Sequence, residues 1–584
     1  MAHGGNIAAL PWHWEKGLQA LGLLALPLGV LGFWQYDLGH EGHGTLLDWL
    51  YYTLQLFVLH GVHLDPPVPW CLHLARFLAP VFTLYGLLWS VMQVFQEPFR
   101  ALHLWRIRQH VLLIGDGALA LRLATDLCAD GRRVVTVGSA ARQDAFLALP
   151  RQCLYLPSDL ATALPWHTLR VQTSQQIILA TEDDQSNIGT AVQLVQFYKE
   201  NTPQATVPPC HVHLFGFFTR ELFTRYRLSE SHPEAKGLTT FNIYDTCARD
   251  VLERYPLDRQ TIGPDSPLVV RLVVLGFGKM GESLVLQAAK LGHFAHGRRL
   301  EIVVLDREAE EREASFLSRY PHFRAICDIE FQRQDISRPQ TVQALAQLLE
   351  DQQRLQTLAF CLNDATVNMP ILLGLSADLH RHNVPALVRT TAAGGLEPLL
   401  DTLWDGVPLK QLLHPFTVLA SSVSQSFLAG ARQDALARAI HADFLERRRR
   451  EGRRADDPAM QLWEALGPDL KASNRRQADH ITVKLRAVGC STSSMRDGPS
   501  PSLQPFQGFS PEEVEILTQM EHASWNAERF LAGWQYGCTR NERDRLSPYL
   551  VSWEALPEEA RERDREAVRN IPPLLGRIGE SISR

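Results

Sequence analysis

Apolar and polar residues follow three different rhythms along this chain. From Gly17 to Tyr36 the sequence carries no charge, and a second such run, Phe77 to Phe95, begins after Arg76. At about 1.5 Å per residue, each run is long enough to cross a hydrocarbon layer of about 30 Å. Neither reads as a signal peptide, because the first lacks a small-residue cleavage site and the second lies too deep in the chain. Between them, Leu46 to Asp65 is too interrupted to span a membrane and too hydrophobic for an ordinary loop. The expectation is a membrane α-hairpin over residues 1–100 with a re-entrant, pore-like segment at 46–65, since irregular backbone at membrane depth is tolerated where it lines a cavity. A plain membrane anchor carrying an interfacial helix is the alternative. Arg100, Arg106 and Arg108 follow the second run, whereas Asp37, Glu41, Asp48 and Asp65 lie between the two. The positive-inside rule then places both termini in the cytoplasm of a multi-pass protein of the cell (inner) membrane.

From about residue 110 the rhythm changes to short β-branched runs alternating with helical spans. In Arg271–Glu308, Val273 and Val274 lead into Gly276-x-Gly278-x-x-Gly281. A helix with an apolar face (Leu284, Leu286, Ala289, Leu291) follows, and Ile302–Leu305 closes on Asp306. This is a dinucleotide-binding fingerprint: a tight turn, a backbone open to a pyrophosphate at a helix N-terminus, and an acid for the ribose. Gly276, Gly278, Lys279, Met280, Gly281 and Asp306 are the candidate nucleotide-binding residues, with an adenine nucleotide or dinucleotide as ligand: NAD(H), ATP, ADP, AMP, ADP-ribose or a cyclic nucleotide. A Rossmann scaffold that keeps its glycines for packing is the alternative. A first copy begins at Val111–Ile114 with Gly115-x-Gly117-x-x-Ala120, but Gly138 stands where the ribose acid is expected, followed by Ser139 and Arg142. That copy binds nothing, holds a ligand differently, or turns Arg142 toward a phosphate. Ile177–Ala180 runs into Glu182-Asp183-x-x-x-Asn187, and Ala359–Leu362 into Asn363-Asp364-x-x-x-Asn368, which marks an internal repeat and adds Asp183 and Asp364 as candidates. Two α/β Rossmann domains are predicted, at 101–260 and 261–415.

After Leu413 the third rhythm is helical, and it also repeats. Ile440-His441-x-x-Phe444 recurs as Glu521-His522-x-x-Trp525, and Trp463-Glu464-Ala465-Leu466 as Trp553-Glu554-Ala555-Leu556. Asn474-Arg475 and Ile481 recur as Asp564-Arg565 and Ile571. Two all-α units, 416–490 and 511–584, joined by a Ser/Pro/Gly-rich linker at 491–510, are expected. His522, Trp525, Arg529, Trp534, Tyr536, Trp553 and Arg565, with Phe444 and Trp463 of the first copy, form a candidate cleft in which aromatic faces stack a base and guanidinium groups hold its phosphates. The same tryptophans serve equally well as a small domain's core. The run Glu446–Arg454 reads as a solvated helix face or as a contact for anionic lipid.

Composition narrows the function. A chain of 584 residues exceeds one core and predicts several domains, and a net charge of −6 gives no field for nucleic acid. Nine cysteines without CxxC spacing suit reduced thiols. His40, His43, His60, His63 and His73 cluster without a carboxylate or cysteine to complete a metal set. No Ser/His/Asp context and no Walker lysine appear, so no catalytic or metal residue is assigned and the chain reads as a non-enzyme, with oxidoreduction at Gly276 a distant option.

Three resemblances follow from these residues. Asp48, Leu50, Tyr51, Tyr52 and Gly61 resemble the pore segment of two-transmembrane potassium channels. Here Val58 and Leu59 replace the filter threonines, Val62 the aromatic and His63 the second glycine. That resemblance makes Thr53, Leu59, His60, Gly61, Val62 and His63 the pore candidates. The paired fingerprints resemble tandem RCK (TrkA-N type) domains. Glu528-Arg529-x-x-x-Gly533-Trp534-x-Tyr536-Gly537, together with His522-x-x-Trp525, closely resembles the ryanodine-receptor (RyR) repeat. These resemblances imply a homotetrameric, nucleotide-gated ion channel in a lipid bilayer, coupled through residues 96–109. The alternative is a membrane-anchored nucleotide sensor of stress or antiphage defence that recruits partners or perturbs the bilayer.

Overall fold

The structure is a computed structural model that describes residues 12–584 apart from 41, 59, 61–62, 151, 161, 202–206, 229–231, 337, 363–364, 391–410, 419–433, 451–457, 464–465 and 495–505. Leu59, Gly61, Val62 and Asp364 therefore lie outside the described residues.

The first apolar run lies in helix α1 (Trp12–Gly39), and the second in the long helix α3 (Trp70–Arg106) that packs along it. The intervening segment supplies α2 (Leu46–Phe57), started by a capping box between Thr45 and Asp48. Trp49 Nε1 donates to Asp37 Oδ2 at 2.6 Å, and the Asp65 amide donates to the Tyr36 hydroxyl at 2.8 Å, pinning both ends of the α2 segment to α1. The three helices share a narrow core of Ala25, Phe33, Leu56, Leu72, Ala75 and Ala79. Gly32 lets α3 approach closely, since a Cβ there would stand 2.7 Å from that of Leu72. This core leaves most of the apolar surface uncovered. Among the described residues, 20 of the 26 exposed large hydrophobic side chains fall between Leu23 and Val91. One helix among those residues is long and apolar enough to cross a membrane, Trp70–Leu88, with mean hydropathy 1.5.

Two six-stranded parallel sheets follow. The first contains β1 (Val111–Ile114), β2 (Val134–Gly138), β3 (Cys153–Pro157), β4 (Gln176–Leu179), β5 (Cys210–His213) and β6 (Leu238–Phe241). Its helices are α4 (Ala118–Ala129), α5 (Gln143–Leu147), α6 (Asp184–Asn201), α7 (Phe217–Leu228) and α8 (Ile243–Arg254). The second contains β7 (Val269–Leu275), β8 (Glu301–Asp306), β9 (Asp328–Arg333), β10 (Arg354–Phe360), β11 (Ala386–Arg389) and β12 (Leu413–Phe416). It carries α9 (Lys279–Leu291), α10 (Ala309–Arg319), α11 (Phe323–Ile326), α12 (Pro339–Leu349) and α13 (Ala365–His382). The strand orders are β3-β2-β1-β4-β5-β6 and β9-β8-β7-β10-β11-β12, the same doubly wound order twice. The order reverses beside β1 and β7, which places the crevice of each sheet at its glycine turn.

The C-terminal region contains α14 (Ala435–Arg450), α15 (Pro468–Ala487), β13 (Ser491–Ser494), α16 (Pro511–Leu531), β14 (Gln535–Tyr536), β15 (Leu546–Ser547), α17 (Glu558–Arg569), α18 (Ile571–Arg577) and β16 (Glu580–Ser583). The two helical repeats, expected as separate units across a linker, close into one body. β13 at the end of the first pairs antiparallel with β16 at the end of the second, and α15 packs on α16. Where the first copy has the single helix α15, the second breaks into α17 and α18 at Ile571-Pro572-Pro573. The joint is tied by Glu521 on α16, whose carboxylate takes Arg476 Nη2 at 2.9 Å and the Lys484 ammonium, both from α15. All three residues are at most 5% exposed. Burial alone would raise the Glu521 carboxyl, but Arg476 and Lys484 outweigh it and hold it far below the usual carboxylate range. Lys484 is lowered, because its burial exceeds what a carboxylate shared with Arg476 returns.

Removing one partner of such a group strands buried charge. Glu521→Gln should lower stability by about 3–5 kcal/mol at pH 7. The Glu521 contribution is complete above its ordinary value of 4.5 and is lost only as pH falls toward the depressed folded value. In denaturation of the full chain, the gap between wild type and variant should therefore hold from pH 7 to 5 and shrink below about 4.5. A gap that is absent at pH 7 contradicts the assignment.

Candidate functional site

The second glycine turn has the geometry its sequence implies. β7 ends at Leu275, Gly276 turns the chain at φ +89°, and Gly278 is the N-cap of α9. Gly281 packs directly on the Gly276 carbonyl, so no side chain fits there. Among the described residues nothing lies within 4 Å of where a Cβ on Gly278 would stand, so the backbone at this helix N-terminus is uncovered on that side by the described residues. Met280 is fully buried, whereas Lys279 is exposed, its ammonium 3.4 Å from the Glu182 carbonyl of the first Rossmann unit and 5.5 Å above the Phe215 ring. Asp306 ends β8 with Oδ2 accepting from the Phe277 amide at 2.7 Å and Oδ1 from the Glu308 amide at 2.9 Å. The carboxylate thus braces the glycine turn at the edge where a ribose would lie.

The first turn meets the same need with the ends exchanged. Asp116, between Gly115 and Gly117, accepts from the Ser139 amide at the end of β2 at 3.0 Å. A carboxylate again bridges turn and strand end, here from the turn. Gly138 is small for that reason, as a Cβ there would come within 2.6 Å of both Asp116 Cβ and the Tyr155 hydroxyl. Tyr155 donates to the Ser139 carbonyl at 2.7 Å, and burial, with Asp116 beside it, pushes its phenol up to about 12. Sequence reading missed Asp116, although an acid inside the glycine turn of the copy that lacks one at the strand end was the available signal. The phosphate side also differs from the second turn, since Glu182 Oε1 lies 2.7 Å from the Cβ position of Gly117. Asp183 is committed to its own helix, accepting from the Ser186 amide and hydroxyl at 2.7 Å each.

Helix α9 connects this turn to everything around it. Ser283 donates to Asp245 of α8 at 2.8 Å, and Asp245 pairs with Arg220 of α7 at 2.6 Å. Burial raises the Asp245 carboxyl, but Arg220 and Lys290 hold it low. Glu282, one residue after the turn, is paired with Arg319 of α10 at 2.8 Å. Gln287 donates to Asp479 of α15 at 3.2 Å, Ser524 of α16 to the Lys290 carbonyl at 3.3 Å, and Arg249 of α8 chelates Asp479. None of these partners is visible from the fingerprint.

In the paired helical module the two copies superpose in detail. His522 Nε2 lies 2.9 Å from the Val551 carbonyl, with its ring at 20° to Trp525 and 57° to Trp553. His441 Nε2 lies 2.7 Å from the Gln461 carbonyl, at 18° to Phe444 and 57° to Trp463. Both copies carry guanidinium groups over their aromatics: in the second, Arg529 is 5.0 Å from the Trp534 ring and 5.7 Å from Trp525, and Arg540 is 5.9 Å from Trp534; in the first, Arg438 and Arg475 are 5.3 and 5.9 Å from Trp463, and Arg448 is 5.3 Å from Phe444. Trp534 is largely buried, whereas Tyr536 is 58% exposed. Arg565 stands apart, held by Glu515, Glu558 and Glu562 at 2.6–3.1 Å. Of the pore candidates, Thr53 is buried against Gly29 of α1, and His60 and His63 are exposed.

Two doubly wound α/β units, each with a glycine turn at its switch point, and a paired helical module make up the chain after α3. Residues 510–584 match the RyR domain family. No curated protein matches the chain. Among solved structures the chain is similar to GsuK bound to ADP, at 16% identity over 72% of this chain and 96% of that one, TM-score 0.36. It is also similar to the GsuK channel bound to NAD, at 14% identity over 72% and 83%, TM-score 0.37. A dipicolinate synthase chain from Bacillus halodurans matches at 12% identity over 55% and 96%, TM-score 0.21. At TM-scores this low, the residues of this chain alone carry the reading of the site.

A thermal-shift panel over NAD, NADH, ATP, AMP, ADP-ribose and cyclic nucleotides tests these sites. Asp306→Ala should abolish a shift arising at the second glycine turn, and Trp534→Ala one arising in the helical module. A ligand whose shift survives both substitutions contradicts the assignments.

Proposed function

We propose that this chain is a nucleotide-gated membrane pore, assembled as a homotetramer with its Rossmann and RyR-type units in the cytoplasm. The observation that carries the reading is α3. It runs unbroken for 37 residues, about 55 Å, out of the apolar helical unit, and only four residues separate its end from β1. About 30 Å of that length suffices for a hydrocarbon core, so the remainder reaches rigidly into the Rossmann units. The exposed apolar belt between Leu23 and Val91 supports burial in lipid. An adenine nucleotide at Gly276–Gly281, braced by Asp306, binds the conformations of α9 unequally. That difference in affinity is the work available to move α3. A second reading is favoured by Thr53, which packs on Gly29 instead of facing a cavity: a membrane-anchored nucleotide sensor that acts by recruiting partners.

Ion flux from proteoliposomes separates the two. A pore gives a unitary conductance whose open fraction changes at least about fivefold with NAD or ATP, the response that a coupling of about 1 kcal/mol produces, and Asp306→Ala removes that response. Nucleotide-dependent clustering without conductance identifies the anchored sensor.

A further inference from the structure

We propose that Glu182 couples the two glycine turns, keeping the first closed while the second is empty and releasing it when a nucleotide fills the second. The proposal rests on the nucleotide reading of the second turn given above. Glu182 reaches both turns. Its carboxylate covers the phosphate side of the first, with Oε1 at 2.7 Å and Cδ and Cγ at 3.1 Å from the Cβ position of Gly117, the N-cap of α4. Negative charge at a helix N-terminus is favourable, and a phosphate would seek the same place, so the carboxylate is an internal competitor. Its main-chain carbonyl faces the other way and takes the ammonium of Lys279, the first residue of α9, at 3.4 Å.

The guard is on the Gly117 side; residue 363, the counterpart of Glu182 at the second turn, lies outside the described residues. The first turn otherwise has the parts of a site, because Asp116 supplies the carboxylate that Gly138 lacks. Lys279 is where the turns communicate. A pyrophosphate on the Gly278 turn offers charged oxygens, and an ammonium paired with them gains a Coulombic attraction between two full charges that a neutral carbonyl does not supply. Lys279 therefore leaves Glu182 and the Phe215 face when the second turn fills. The chain is tied on both sides of Glu182: before it, the Thr181 amide donates to Asn187 Oδ1 at 3.0 Å and the Thr181 carbonyl accepts from Asn187 Nδ2 at 3.0 Å; after it, Asp184 accepts from the Phe215 amide at 2.9 Å and the Gly216 amide at 2.7 Å, so that motion is confined to the Glu182 peptide and side chain. Freed of its ammonium, the Glu182 peptide turns and its carboxylate withdraws from Gly117.

Photolabelling of the full chain in detergent with azido-ATP and azido-NAD, mapped by peptide mass spectrometry, tests this turn by turn. In wild type, label at low probe should fall on the second Rossmann unit and reach the first only as the second saturates. Glu182→Ala should raise labelling of the first unit at low probe by about tenfold, about 1.4 kcal/mol. Asp306→Ala should remove label from both units, and Asp306→Ala with Glu182→Ala should restore it to the first alone. Glu182 is exposed, and an unchanged melting temperature checks that the variant is folded. First-unit labelling unaffected by Glu182→Ala overturns the proposal. If Asp306→Ala leaves second-unit label intact, or wild type takes none there, the reading of the second turn fails. The Glu182→Ala result then still decides whether the first turn is closed by this side chain.

Discussion

Burial of α9 on every side is the constraint on which the rest of this structure depends. The helix that presents the second glycine turn is covered along Met280, Gly281, Glu282, Ser283, Leu284, Val285, Gln287, Ala288 and Ala289. A surface helix has one apolar stripe and a solvated back. Here the back is covered as well, by α8 of the preceding Rossmann unit and by α15 and α16 of the helical module. The polar residues on it are matched one by one: Glu282 with Arg319, Ser283 with Asp245, Gln287 with Asp479. Close-packed surroundings of this kind shift between discrete arrangements and do not deform smoothly. The N-terminus of α9 and the docking surface of α15 and α16 therefore belong to one packed unit.

The two duplications in the chain were retained unequally. In the Rossmann pair, the bridge between turn and strand end survives while the residue supplying it moves from Asp306 at the strand to Asp116 in the turn. In the helical pair, the histidine, its carbonyl partner and the ring angles survive in both copies, although Trp525 corresponds to Phe444. The copies are joined by the antiparallel pairing of β13 with β16 and by Glu521 of the second, which is paired with Arg476 and Lys484 of the first.

The N-terminal unit obeys a different solvent logic. Among the described residues its core of six buried side chains is far smaller than its exposed apolar surface, the reverse of the Rossmann units, whose central strands β1 and β7 are largely buried on both faces. Only four residues separate the end of α3 from β1, so this unit joins the first Rossmann unit through a short connection.

The sequence by itself determined what depends on neighbours along the chain. Val273–Leu275, Gly276 and the helix after it form strand, turn and helix because backbone sterics and a period of 3.6 act within a few residues. The twofold recurrence of that unit was legible for the same reason, as were the His-x-x-Trp and Trp-Glu-Ala-Leu repeats. The tertiary structure alone decided that Glu182 covers the first turn, that Asp116 bridges turn and strand end where the acid is missing, that Arg565 is engaged by Glu515, Glu558 and Glu562, and that two helical repeats form one body. Each of these is a contact between residues distant in sequence, and its strength comes from burial and from the competing charges nearby. Spacing along a chain does not encode those quantities; they exist only once the sheets, α9 and the helical module have closed on one another.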